Sequence, residues 1–212
     1  MADVVFDLPV DVDNVLEEMG LDRKGLVDVV RYAAGEKALC TDNDAVGFAN
    51  YLVYDKAARR IREIYCSRGW VKDDTNNQAA IKNPKTRIRV VPCNFDEDAG
   101  KIDGKPSNRS PKGEVSRKKT LCNKTAWLPG LEPPEPVPGD DGYLTWILGL
   151  YIEEEKPIGA ELSFPTGFDV NYFTHLPKRI LLMFGDDGDP ATVKKPDVDD
   201  TFGEVDIEIK RK

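Results

Sequence analysis

The sequence predicts an α+β fold: N-terminal helices packed on a mixed, mainly antiparallel β-sheet, with a long irregular loop lying across it. Three observations lead there. Apolar residues recur at helical spacing through the first 70 residues and alternate at strand spacing later. The two kinds of segment are segregated along the chain, with no βαβ alternation. The chain is 212 residues long and 40% hydrophobic, enough for one real core, so a single domain over 1–212 is expected.

Residues 1–70 read as mainly helical. In DVDNVLEEMG, Asp11 or Asp13 is placed to cap a helix carrying Val15, Leu16 and Met19, and Gly20 is placed to stop it. LDRKGLVDVVRYAAGEK offers Leu26, Val27, Val29, Val30 and Ala33 on one face, closed by Gly35. The aromatic and β-branched stretch Tyr51 to Tyr54 fits a short strand. DKAARRIREIYCSRGW is the clearest helix, with Asp55 as cap, Ala58, Ile61, Ile64 and Tyr65 on its apolar face, and Gly69 as stop.

Residues 78–95 read as a basic hairpin turning at Asn83-Pro84-Lys85, with Ile88 and Val90 on one face and Arg87 and Arg89 on the other. Residues 96–143 read as a long loop, basic and then proline-rich. Its five prolines between Pro129 and Pro138 favour extended polyproline geometry, and Trp127 is an expected anchor. Residues 144–212 read as mainly β. One strand is almost wholly apolar from Leu144, and in the next Ala160, Leu162 and Phe164 alternate with Glu161 and Ser163. RILLMF makes a third strand, and a fourth carries Val205, Ile207 and Ile209 on one face.

The net charge of −8 hides an asymmetry. Residues 1–50 balance to −7, residues 51–124 to +9 and residues 125–212 to −10. A block this polarised sets up a directional field that the overall charge conceals. Its densest part, KIDGKPSNRSPKGEVSRKKT over 101–120, holds seven Lys or Arg and two acidic residues. Arg59, Arg60 and Arg62 on a helix, Arg87 and Arg89 on a strand, and Lys112, Arg117, Lys118 and Lys119 in the loop come from three elements. If they converge, they make a surface that phosphate backbones bind through counterion release. The expected function is therefore nucleic-acid binding by a central basic block, 56–124, as an accessory subunit of a DNA- or RNA-processing system. The alternative is a protein–protein module that pairs the basic loop with an acidic surface, on another protein or on a second copy of the chain, without catalysis.

A second alternative is a Mg²⁺-dependent nuclease. Pro196-Asp197 followed by Glu208-Ile209-Lys210 has the bare PD-(D/E)xK spacing, in which two carboxylates bind the metal and the lysine activates water. Mg²⁺ is the one cofactor considered, and only for that reading. Asp96 with Asp98, and Glu154 with Lys156, are the other acidic sets. Asp96, Asp98 and Gly100 sit as in the opening of an EF-hand loop, but Ser107 stands where that loop needs Glu. Glu161 stands alone on its strand. Cys40, Cys66, Cys93 and Cys122 are dispersed, and with His175 as the single histidine they lack the paired spacing of a zinc site. They read as reduced thiols. The N-terminus lacks a secretory pattern, and no apolar run approaches the roughly 20 residues of a bilayer span, so a cytoplasmic protein without membrane contact is expected.

Overall fold

The computed structural model describes residues 3–126 and 141–183. The architecture is α+β: four helices, a mixed seven-stranded sheet and a small two-stranded sheet. The predicted strand over 205–209, the Asp197 and Glu208–Lys210 spacing, Trp127 and the prolines 129–138 lie outside the described residues.

Helix α1 (Pro9–Met19) begins one turn earlier than the sequence suggests. Pro9 at its first position supplies a preset φ, so neither Asp11 nor Asp13 is the cap, and Gly20 ends it at φ 77°. Helix α2 (Arg23–Ala38) is capped by Asp22, whose carboxylate accepts from the Gly25 amide at 2.8 Å, and it runs through Gly35. Helix α3 (Phe48–Tyr65) absorbs the expected strand at Tyr51–Tyr54 and places Asp55 mid-helix. Val53, Ala57, Ile61 and Tyr65 bury one continuous stripe, and this periodicity overrides the local β preference.

The strands are β1 (Val4–Phe6), β2 (Val71–Asp73), β3 (Ala80–Asn83), β4 (Ile88–Asn94), β5 (Leu144–Tyr151), β6 (Gly159–Phe164), β7 (Gly167–Asp169), β8 (Tyr172–His175) and β9 (Lys178–Leu181). The main sheet runs β1-β9-β6-β5-β4-β3-β2. The pairs β1–β9 and β4–β5 are parallel; the others are antiparallel. Strands β7 and β8 form the separate hairpin.

Side-chain alternation sorts the sheet into two faces. Val90, Trp146, Leu148, Leu150, Ala160, Leu162 and Ile180 pack with α1–α3 in the main core. On the other face Val91, Cys93, Phe95, Ile147, Tyr151 and Phe173 form a smaller core. Phe95 lies against bare Gly149, where an added Cβ would come within 2.3 Å of the ring.

A further helix, α4 (Glu114–Ala126), lies inside the stretch expected to be loop, and it packs on β5 and β7. It turns the parallel β4–β5 connection into a βαβ crossover, which the sequence reading excluded. The miss has a physical cause. Among the described side chains of α4 the buried ones are Ser116, Thr120 and Asn123, at helical spacing but polar, so they form no apolar stripe. Asn123 ties the helix to the sheet instead. Its amide donates to the carbonyls of Thr145 (2.7 Å) and Pro165 (2.9 Å), and its oxygen accepts from the Thr145 amide (2.8 Å).

Candidate nucleic-acid interface

The smaller-core face of the sheet is crossed by two buried ion pairs. At one end Arg179 on β9 forks onto Glu161 on β6, with bonds of 2.9 and 2.5 Å, so Glu161 does not stand alone. The same guanidinium donates to the carbonyls of Lys101, Ile102 and Gly104. Asp96 and Asp98 hold this loop shut by accepting from the amides of Asp98, Ser107 and Lys105. The loop that suggested a cation site thus closes around a cation carried by the chain itself. Among the described residues no group of three or more His, Cys, Asp or Glu is placed to hold a metal.

At the other end Arg89 on β4 donates to the Asp73 carboxylate at 2.6 Å, with both side chains almost fully buried, and makes a second ion pair with Asp141. Asp141 is 41% exposed and precedes β5. Burial alone would raise the Asp73 pKa. Bonds from the Thr75 hydroxyl and amide, and from Arg89, outweigh it and pull the pKa down to about 2.

Arg89 opens onto a cavity of 250 Å³ between α4 and the sheet, which is also lined by Thr75, Lys118, Lys119, Tyr143 and Thr145. The Tyr143 ring is surrounded by cations, with Arg87 at 4.1 Å, Lys82 at 5.3 Å and Arg89 at 5.4 Å from its centroid. Lys119 projects from α4 and donates to Gln78 Oε1 at 2.5 Å. Burial and then the neighbouring Arg89 lower its pKa to about 8, although Asp73 and Asp141 oppose them. Five cationic side chains and two carboxylates therefore share one end of the sheet. Such a pocket can take an anion against forked and point-charge donors.

The other candidate residues do not join it. Arg59 pairs with Glu63 at 2.8 Å, and Arg60 pairs with Asp28 and Glu63 and lies over Tyr32. Both sit on α3, against the opposite face of the sheet. Arg62 serves the fold: it donates to the carbonyls of Asp73 and Ala80 and to the Asp74 carboxylate. Arg117 is bound by Glu114 one turn earlier on α4. Lys112 lies in an adjoining pocket beside Cys93, whose thiol burial pushes upward in pKa while Lys112 opposes the shift. The expectation of one continuous basic surface fails on this geometry, and a smaller cluster of Arg87, Arg89, Lys118 and Lys119 replaces it.

Lys82, Tyr143, Asp73, Asp141 and Gln78 escaped the sequence reading. Lys82 was within reach. A turn closing between Asn83 and Ile88 puts Lys82 directly opposite Arg89, which is the observed register. The others meet only through the β4–β5 pairing and the docking of α4. No protein-family model matches the chain, and no match is found among characterised proteins.

Proposed function

We propose that the chain binds the phosphates of nucleic acid in the cavity between α4 and the sheet. Arg89, Lys118 and Lys119 act as phosphate ligands, and Lys82 and Arg87 stand at the rim around Tyr143. The observation that carries this reading is the convergence of strand and helix cations on one 250 Å³ cavity. Arg89 is oriented before any ligand arrives, because the buried Asp73 fixes its guanidinium. The fork is therefore preorganised, and less side-chain entropy is lost on binding. The rival reading, a basic loop that docks on an acidic partner, draws less support. Much of the basic run is engaged internally, with Lys101 on Asp98, Arg109 on Glu153 and Arg117 on Glu114.

The test is fluorescence anisotropy with labelled duplex DNA, single-stranded DNA and RNA at two salt concentrations. Lys118→Gln with Lys119→Gln is expected to weaken binding and reduce the salt slope by up to about 2, close to one per lost phosphate contact. Arg59→Gln with Arg117→Gln is the control and should leave both unchanged. Equal losses in the two double variants, or no binding by the native chain at low salt, would falsify the reading.

A further inference from the structure

The cationic cavity does not end at α4. A second cavity of 330 Å³ adjoins it, and Asn76 and Val115 line both. Each volume is near the lower bound of the roughly 300–1,000 Å³ typical of small-molecule sites, and together they fall inside it. The second cavity has a different chemistry. Its floor is apolar, from Val91, Pro92, Ile147 and Phe173, and its rim carries the amides of Asn77 and Gln78 and a single cation, Lys112.

Gln78 ties the halves together. It lines the second cavity, accepts from Lys119 at 2.5 Å and lies 3.4 Å from Ser116 Oγ on α4. Asn76 and Asn77, on the wall between β2 and β3, both hold φ of 58°. Two successive left-handed residues are a local backbone cost, tolerated by Asn, and such costs cluster where ligands are clamped.

We infer that the two cavities form one cleft for a single nucleotide, with its phosphate at Arg89, Lys118 and Lys119 and its base on the apolar floor beside Asn77 and Gln78. This inference rests on the phosphate reading above and narrows it. The preferred substrate is an unpaired nucleotide, as a mononucleotide or within a single strand. A duplex keeps its bases stacked and cannot fill the second cavity.

Titration calorimetry separates the two claims. The probes are inorganic phosphate, adenosine, adenosine 5′-monophosphate, a short single-stranded oligonucleotide and the matching duplex. The monophosphate is expected to bind at least tenfold more tightly than phosphate or adenosine, and the single strand more tightly than the duplex. Asn77→Ala should lower affinity for the monophosphate several-fold and leave phosphate unchanged. Lys118→Gln should lower both. A thermal melt of each variant checks that it folds. If the monophosphate binds no better than phosphate while the oligonucleotides still bind through Lys118, the nucleotide cleft is overturned and the phosphate site stands. If neither phosphate nor any oligonucleotide binds, both are overturned.

Discussion

Raising the pH from 7 to 9.5 should weaken the binding of a phosphodiester, and Lys119 sets the size of the loss. Burial lowers the Lys119 pKa to about 8, against an ordinary value of 10.5. A bound phosphate that restored the ordinary value would stabilise the charged amine by about 3 kcal/mol, which is the ceiling on its contribution. Below pH 8 the amine is already charged and affinity is nearly flat. Above pH 8 the free protein must take up a proton on binding, and affinity falls by up to tenfold per unit. From pH 7 to 9.5 the ceiling is a loss of about 30-fold. Fluorescence anisotropy with labelled oligo(dA) measures it, since neither its phosphodiesters nor its bases titrate in this range. Folding stability should move the opposite way. The pKa of Lys119 is depressed in the folded state, so the unfolded chain binds more protons between pH 8 and 10.5 and stability rises there. Lys119→Met should remove the pH-dependent part of binding and raise the melting temperature at pH 7. Affinity that stays flat from pH 7 to 9.5, or a decline that survives in Lys119→Met, would refute the assignment of Lys119 to the phosphate.

Four further perturbations act on the same site or on the helix that walls it. Asp73 has its carboxyl pKa depressed from 3.8 to about 2, so it contributes about 2 kcal/mol of stability above pH 4 that is lost as the pH falls through 2; Asp73→Asn should flatten that part of the acid denaturation curve. Arg89→Met leaves Asp73 buried without its counter-ion and should cost about 3–5 kcal/mol, read as a drop in urea midpoint at unchanged m-value. Asp141 occupies the outer side of the Arg89 guanidinium, where an incoming anion would sit, so Asp141→Asn should tighten phosphate binding several-fold by calorimetry. Asn123→Leu removes three hydrogen bonds that hold α4 to Thr145 and Pro165; it should raise amide exchange across 114–126 before any global loss of structure.

What the sequence made legible was whatever apolar periodicity records. Helix α2, the part of α3 after Asp55, the β3–β4 hairpin with its turn at Asn83, and strands β5 and β6 are where the spacing of Val, Ile, Leu and aromatic residues placed them, apart from their ends; within the first two turns of α3, Tyr51 to Tyr54 read as a strand instead. Helix α4 was invisible because the buried residues among its described side chains are Ser116, Thr120 and Asn123, and no hydrophobic scale weighs a helix that docks through an amide. The parallel pairing of β4 with β5 followed it into obscurity, since the crossover depends on that helix. The candidate site was half legible. Charge density marked Arg87, Arg89, Lys118 and Lys119, but density carries no depth. It could not tell Arg89, buried against Asp73, from Arg117, which is held by Glu114 in solvent. Nor could it separate Arg59 from Lys118, which the fold sends to opposite faces of one sheet.

Arg179 has a consequence for the order in which this molecule folds. Its guanidinium donates to three carbonyls that lie 75 to 78 residues earlier in the chain, at Lys101, Ile102 and Gly104. Until β9 is laid against β6, those carbonyls have no such partner and the 96–107 loop lacks its central support. The segment leading into α4 follows that loop in the chain and is pinned beyond it, by the Arg109 amide to Asn94 at the end of β4 and by the Lys112 amide to Asn171 between β7 and β8. The cleft between α4 and the sheet is therefore finished by contacts of long sequence separation, which form slowly and pay the largest closure entropy. Helices α2 and α3, packed through neighbours close in sequence, can assemble much sooner. In refolding, burial of Trp70 between α1 and α3 should precede ligand competence, and the lag between the two signals times the arrival of β9.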